Sequence, residues 1–304
     1  MIRTLIAVIN GHTTLEELQK NLNASKSWIV RVVNKLESNG FLKKTKKGRK
    51  VNVEISGTSF AINFREMYLS KPYRKYESLL PGKNLDILLC IVYSPKSVKV
   101  IGEMLHVQPR SIRQRLRNLG NYGLIYRQKG SYVLSRANPD IQQFIGSLRK
   151  FSKENGRVLW KFDNEMLFKV RNQEDIKGEL TGFNRYKDYG VMVQTIDYNC
   201  YVGKGKLGIE QIFIHSLFEI EDPRTLGLAL TFYAKNGLCK TIKLKKMMLL
   251  AEKFDVLDKL EELIRTYEIF KAKPAEKMIG NKMLPSIDLN EIRRQFEMYG
   301  VKDV

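Results

Sequence analysis

The sequence predicts an α+β protein in which one small helix-and-hairpin module occurs twice and is followed by a mixed α/β domain with a helical C-terminal part. The repeat is the first observation, because residues 15–40 align without a gap on residues 98–123. Each copy then reaches a glycine, Gly40 or Gly123, and strand-like alternation follows it. The last observation is that the net charge per residue falls and the sequence pattern changes near residue 156. The predicted boundaries are 1–81 and 82–155 for the two modules, 156–270 for the third domain and 271–304 for a tail.

The first copy opens with three predicted helices. Ile2–Ile9 has apolar residues at helical spacing, which favours a core helix over a signal peptide. Thr14 and Glu17 have the spacing of a capping box at the start of the second helix. A third helix is predicted from about Lys26 to Ser38, after a tight turn. Its inward positions are Ile29, Val33 and Leu36. The outward residues that we predict to contact a partner are Lys26, Ser27, Arg31, Asn34 and Lys35.

A strongly basic hairpin follows this helix. Its tip is predicted at Lys43–Lys50, and Val51, Val53 and Ile55 alternate on the return strand. So many cations around Gly48 repel one another unless an anion lies across them. A solvated tip is the alternative, and we favour contact with a phosphate or a minor groove. The predicted contact residues of the hairpin are Lys44, Lys46, Lys47, Arg49 and Lys50.

The second copy contains the clearest amphipathic helix. It is predicted to begin at Pro109, because proline is favoured in a first helical turn. Its apolar positions are Ile112, Leu116 and Leu119. The predicted contact residues on its opposite side are Arg110, Ser111, Arg113, Gln114 and Arg117. The hairpin behind it turns at Lys129, which we add to the predicted contacts.

This succession of helix, turn, helix, glycine and strand pair resembles the winged helix-turn-helix of archaeal-type tandem regulators. The resemblance implies that the last helix before each hairpin is a recognition helix for the major groove of double-stranded DNA. Arginines at such positions suit guanine edges or phosphates, and Gln114 and Asn34 suit adenine. The hairpin lysines are expected to add affinity that does not depend on base sequence.

The distribution of charge favours a polyanionic partner. The net charge is +21, and residues 1–150 hold 27 lysines and arginines against 9 aspartates and glutamates. A membrane surface would also attract this charge, but the sequence has no long apolar run and no lipidation motif. The three cysteines are odd in number and far apart, which indicates a reducing compartment. We therefore expect a cytoplasmic protein that does not associate with membranes.

The C-terminal half contains one segment that raises the question of catalysis. Thr181-Gly182-Phe183 precedes a predicted strand, Val193–Tyr198, which leads to Asp197-Tyr198-Asn199, and Asp222-Pro223 follows a helix. Together these resemble the C-terminal domain of AbiE-type antitoxins, which is similar to nucleotidyltransferases. That resemblance implies a Gly-Ser turn and two magnesium-binding carboxylates. This chain has Gly182-Phe183 and Asp197-x-Asn199 instead, so we expect no enzymatic activity, no catalytic residue, no cofactor and no metal.

Other patterns complete the prediction for this half. Val158–Val170 reads as strand, and four helices are expected at about 209–220, 223–235, 243–254 and 256–270. Gly203–Lys206 is read as a basic hairpin turn, because the strand–loop–helix context of a phosphate loop is not predicted around it. His215 is read as a hydrogen-bonded core residue.

The tail is predicted to end in a capped amphipathic helix. Asp288 and Glu291 have capping-box spacing. The apolar stripe of this helix is Leu289, Ile292, Phe296 and Tyr299. The stripe either docks on its own domain or pairs with a second copy of the chain, and we slightly favour dimerisation.

The sequence thus predicts a homodimeric, sequence-specific regulator of transcription that binds double-stranded DNA. One alternative is an antitoxin-like protein that binds a partner protein through its C-terminal domain and regulates its own operon. A second is a nucleotidyltransferase that holds nucleic acid with its basic half. A third, a protein-interaction scaffold, is disfavoured by the charge of residues 1–150.

Overall fold

The structure, a computed structural model, describes residues 1–47, 50–150, 157–272 and 278–301. The chain divides into two compact units, Met1–Phe151 and Ser152–Val304. Helices alternate with small antiparallel sheets, which confirms the predicted α+β class. No helix within the described ranges combines the length and apolar character that crossing a membrane requires.

The first unit contains both copies of the repeat. The first copy consists of α1 (Ile2–Ile9), α2 (Leu15–Leu22), α3 (Lys26–Ser38), β1 (Leu42–Lys47), β2 (Lys50–Ile55), α4 (Ser59–Ser70) and α5 (Tyr76–Leu79). The second consists of α6 (Lys83–Ile91), α7 (Val98–Leu105), α8 (Pro109–Asn121), β3 (Ile125–Gln128), β4 (Ser131–Leu134) and α9 (Pro139–Lys150). The alignment of the two copies holds in three dimensions, because α2 and α7 match at both ends, as do α3 and α8.

Equivalent turns have equivalent backbone conformations. Asn23 and His106, which end α2 and α7, are both left-handed with φ of 47° and 51°. Gly40 and Gly123, after α3 and α8, have φ of 77° and 66°. A left-handed residue ends a helix at no steric cost when it is glycine. The predicted glycine stops are confirmed in both copies.

Each three-helix group closes over an apolar core and is extended by its hairpin. The positions predicted to face inward on α3 and α8 are all at most 1% exposed. The two hairpins pair antiparallel, and a residue before the second helix of each copy forms a single β-bridge to its hairpin. Val53 N donates to Thr13 O at 2.7 Å, and Lys96 exchanges two backbone hydrogen bonds with Tyr132. The predicted tip at Lys43–Lys50 was too wide, because β1 pairs with β2 as far as Lys47.

The helices that follow the two hairpins pack on each other within the first unit. Phe64 of α4 and Phe144 of α9 meet edge to face with 5.3 Å between their ring centroids. Asn63 Nδ2 donates to Ser147 Oγ at 3.0 Å and to Gln143 O at 3.3 Å. These contacts bring the two copies into one core.

The second unit starts with a four-stranded antiparallel sheet and continues with helices. Its strands are β5 (Arg157–Phe162), β6 (Glu165–Val170), β7 (Glu179–Leu180) and β8 (Tyr198–Val202), in the order β5-β6-β8-β7. Its helices are α10 (Ile209–Ser216), α11 (Pro223–Lys235), α12 (Thr241–Lys253), α13 (Leu257–Lys271) and α14 (Leu289–Met298). A 3₁₀ helix spans Gly182–Tyr189, and β9 (Met278–Ile279) pairs with β10 (Ile287–Asp288).

Two strand predictions for this unit need correction. Val158–Val170 is a hairpin of two strands, because Asp163 turns the chain at φ 51°. The strand predicted at Val193–Tyr198 begins only at Tyr198. The side chain of Asn184 donates to Thr195 Oγ1 and to the carbonyl of Asp197, so this segment is held by a side chain and not by a neighbouring strand.

The tail helix α14 packs on its own unit, against α11. Leu289, Ile292 and Phe296 are at most 4% exposed, and Phe296 contacts Phe270 with 5.1 Å between ring centroids. The stripe is therefore covered by its own domain, and the interpretation that it forms a dimer seam was wrong. The capping box was also wrong, because Asp288 Oδ1 accepts from Asn290 N and Glu291 accepts from Gln295 instead.

Candidate nucleic-acid interface

The two predicted recognition helices each have one buried apolar side and one solvent-exposed polar side. On α8 the apolar residues are buried, and the five predicted contact residues, Arg110, Ser111, Arg113, Gln114 and Arg117, are all exposed. None of these three arginines makes an ion pair with a residue in the described part of the chain. Unpaired guanidinium groups on a rigid helix can donate two parallel hydrogen bonds to a phosphate or to a guanine edge. The face of α8 is therefore chemically suited to nucleic acid.

Helix α3 presents a similar but more mixed face. Lys26, Ser27, Arg31, Asn34 and Lys35 are exposed as predicted. The helix begins at Ser25, whose Oγ accepts from Trp28 N at 3.3 Å and so fixes its first turn. Val32, which the sequence interpretation left unassigned, is also buried. The five predicted contacts are all polar or cationic, and the apolar Trp28 is also exposed on this helix.

One predicted contact in the first hairpin already has partners inside the protein. Lys44 Nζ lies 2.6 Å from Glu37 Oε2 and 2.8 Å from Asn34 Oδ1. The ammonium group is thus neutralised, and the oxygen of Asn34 is occupied. Reading adenine with an asparagine needs that oxygen as an acceptor, so Asn34 would have to share it between Lys44 and the base or release Lys44. Sequence reasoning missed this triad because only the fold brings Glu37 beside the hairpin.

The rest of the first hairpin is described only in part. Lys46 is exposed and forms no ion pair with a described residue. Arg49 and the side chains of Lys47 and Lys50, which we predicted as contacts, lie outside the described residues. In the second hairpin Lys129 is exposed at φ 46° and Gly130 follows at φ 87°. Two consecutive positive φ values form the tight turn that joins two antiparallel strands, and this turn presents Lys129 to solvent.

Lys44 and Lys46 form a matched pair for mutation, because both lie on β1 and differ in their partners. If the hairpin contacts DNA phosphates, Lys46→Gln is expected to lower the log–log salt slope of DNA affinity by about one. Lys44→Gln is expected to change the slope little, because its charge is already balanced by Glu37. Titrations of labelled duplex at several salt concentrations measure both. Equal reductions of the salt slope in the two variants would show that the ion pair between Lys44 and Glu37 breaks when DNA binds.

The second unit contains a cluster of partly buried charged side chains at the segment that raised the question of catalysis. Lys169 Nζ lies 3.6 Å from Asp197 Oδ2 and 3.4 Å from Glu219 Oε1. Burial raises the pKa of the Glu219 carboxyl, and the Lys169 ammonium opposes that rise. The position between the two carboxylates is therefore held by an ammonium group. A magnesium ion would have to displace it.

The remaining groups of this cluster pack around Gly182. A side chain added at Gly182 would approach Glu219 Oε2 to 3.1 Å and Asn199 Nδ2 to 3.4 Å. Asn199 is buried beside Glu219, and its side chain opposes the rise in the pKa of that carboxyl. No group of three acidic, histidine or cysteine side chains in the described ranges could hold a metal ion. The sequence interpretation missed Lys169 and Glu219, which only the fold brings to Asp197.

His215 lies in the core of this unit. His215 is buried, and its Nδ1 lies 2.8 Å from Thr181 Oγ1, which confirms the prediction of a hydrogen-bonded core residue. Burial lowers its pKa to about 3.

Gly203–Lys206 lies between a strand, β8, and a helix, α10, so the interpretation of this segment as a hairpin turn was wrong. The first turn of α10 is occupied by Glu210, paired with Lys246 at 2.9 Å, and this carboxylate disfavours an anion there.

Scans against protein-family models and searches of curated proteins and solved structures found no match to this chain. The case for a function consequently rests on the geometry and charge of the chain itself.

Proposed function

We propose that this protein is a sequence-specific regulator of transcription that binds double-stranded DNA through two tandem winged helix-turn-helix modules. The observation that carries the proposal is the face of α8, where exposed unpaired arginines lie opposite a fully buried apolar side. In such modules the helix before the hairpin enters the major groove and the hairpin lies along the backbone. Helix α3 supports the same role in the first copy, with Arg31 and Lys35 exposed on it.

The distribution of charge supports the same proposal. The 27 basic and 9 acidic residues of 1–150 belong almost entirely to the first unit, which carries both candidate helices. Contacts with phosphates supply affinity, and a few side chains at base edges supply specificity. The lysines and arginines of the hairpins and helices offer the first kind of contact, and Arg113 and Gln114 offer the second.

For the second unit we propose a role without catalysis, in binding another protein or a second copy of this chain. Lys169 supports this, since its ammonium group lies between the carboxylates of Asp197 and Glu219 and neutralises them without a metal ion. An antitoxin-like protein that regulates its own operon would bind its partner protein through this unit. A homodimer would place two pairs of recognition helices on one DNA site.

The proposal is tested by selecting bound duplexes from a random-sequence pool with the purified full-length protein. A shared motif is expected among the selected sequences, because the arginines of α8 discriminate between bases. Arg113→Ala should cost about 1–3 kcal/mol on the selected sequence and relax preference at one position.

Arg115 on the same helix is the matched control. Its guanidinium group donates to Asn84 Oδ1 at 3.4 Å, so it points toward α6 and away from the predicted face. Arg115→Ala removes the same charge and should leave the preferred sequence unchanged. A pool without a shared motif would contradict the proposal, as would identical changes of preference in the two variants.

A further inference from the structure

The first unit contains an apolar pocket of about 640 Å³ whose walls come from both copies of the repeat. Such a volume lies in the range of about 300–1,000 Å³ that is usual for small-molecule sites. The first copy contributes residues of α1, the α2–α3 turn and α3, and the second contributes Leu85 of α6 and Phe144 of α9. The pocket therefore lies at the interface between the two modules of the first unit.

The lining is predominantly apolar, and it includes an exposed tryptophan. Trp28, in the first turn of α3, is 38% exposed and faces this space together with Leu22 and Phe41. Large apolar side chains at a half-open cavity indicate an occupant that brings apolar surface of its own. A water-filled cavity would instead need several polar groups around it.

Three charged groups lie at the pocket: the side chains of Arg3 of α1 and Glu77 of α5, and the Met1 amino group, whose pKa is lowered by burial and by the charge of Arg3. Both side chains are exposed, and neither makes an ion pair or a side-chain hydrogen bond with a described residue. The surrounding unit is strongly cationic, which favours an anion over a cation as the charged part of an occupant. Arg3 is then the group that would hold a carboxylate, and Glu77 would oppose it.

We propose that this pocket binds a small, largely apolar carboxylate, with the apolar part against Trp28 and the carboxylate on Arg3. If the proposed DNA-binding function is also correct, such a ligand would act as an effector. Trp28 and Leu36 belong to α3, so an occupant contacts the back and the first turn of a recognition helix. Ligand and DNA would then bias the position of the same helix.

The chain offers a direct probe of occupancy. It contains two tryptophans, and only Trp28 lines the pocket. A full-length Trp160→Phe protein therefore reports on the pocket through the fluorescence of Trp28 alone. We would titrate it with 4-phenylbutyrate, with the uncharged 4-phenylbutanamide and with 4-phenylbutylamine. A saturable change is expected with the carboxylate, which should bind about two- to fivefold more tightly than the amide, as an exposed ion pair allows. The amine should bind most weakly.

Three substitutions in the Trp160→Phe protein separate the parts of the proposal. Arg3→Gln should lower the affinity for the carboxylate toward that for the amide, and Glu77→Gln should raise the affinity for the carboxylate. Ala24→Phe fills the space from the α2–α3 turn and should abolish the response to every probe. An unchanged thermal unfolding midpoint in Ala24→Phe would show that this loss is not a loss of fold.

No saturable response to any of the three probes would overturn the proposal. So would equal affinity for carboxylate and amide, an unaltered response in Arg3→Gln, or retained binding in Ala24→Phe. These measurements contain no DNA, so their failure leaves the DNA-binding proposal intact. A change in DNA affinity at saturating 4-phenylbutyrate is the additional result expected of an effector.

Discussion

The affinity of the full-length protein for its preferred duplex is expected to fall by about 10³-fold or more between about 50 and 200 mM salt, because we count roughly six to ten candidate phosphate contacts. Each neutralised phosphate releases condensed counterions, and added salt opposes that release. The charge of the first unit and the unpaired arginines of α8 motivate this expectation. Titrations of labelled duplex at five or more salt concentrations give the slope.

Removing equal charge from the two units tests where this dependence arises. Three glutamines in place of Arg110, Arg113 and Arg117 should reduce the log–log slope by about two, because Arg113 is assigned to a base edge and the other two arginines to phosphates. The control removes three exposed lysines of the second unit: Lys204, Lys206 and Lys245. That control should leave the slope nearly unchanged. A slope near zero in the wild type, or equal reductions in the two triple variants, would refute contact through α8.

The second unit is expected to lose stability as the pH falls below about 7, because of His215. Burial among Thr181, Tyr201 and Phe254 lowers the pKa of this imidazole to about 3. The unfolded chain binds the proton near pH 6.5, so acid favours the unfolded state progressively between pH 6.5 and 3. The loss between pH 7.5 and 5 should be about 2 kcal/mol. The full stabilisation is present only above the unfolded pKa.

Trp160 allows this loss to be measured in the second unit alone. A Trp28→Phe protein retains only Trp160, which packs against Phe254 and donates to Asp255 Oδ2 at 3.1 Å. Urea unfolding followed by its fluorescence should give a free energy of unfolding that declines over this pH range. His215→Gln, whatever its stability at neutral pH, should remove that decline. His215 is the only histidine after residue 106, and Glu219, whose pKa is raised by burial, contributes with the opposite sign because the folded unit binds its proton more readily than the unfolded chain does. A decline that persists in His215→Gln would contradict the assignment.

Much of the first unit was predictable because its determinants are local. Pro109 fixes the start of α8, and Gly40 and Gly123 fix the ends of two helices. The repeat then transfers each inference from one copy to the other. The outward residues of α3 and α8 followed from helical periodicity alone, and the structure places all of them in solvent.

The sequence predictions failed where contacts between residues distant in the sequence, and not local sequence patterns, determine the structure. The alternation of Val193–Tyr198 satisfies the period of a strand, but Asn184 binds that segment in place of a neighbouring strand. The stripe of α14 has the same pattern for a dimer seam as for a docked helix, and only the partner α11 distinguishes them. Lys44 looked free because Glu37 becomes its neighbour only through the fold.

The most direct measurement of the proposed function is the affinity of the purified full-length protein for its selected duplex and for a scrambled duplex of equal length. Both should be measured at equilibrium at one salt concentration of about 150 mM, since affinities at different salt cannot be compared. A reader of base sequence is expected to bind the selected duplex at least about 10³-fold more tightly. Equal affinity for the two duplexes would contradict sequence-specific recognition by α3 and α8.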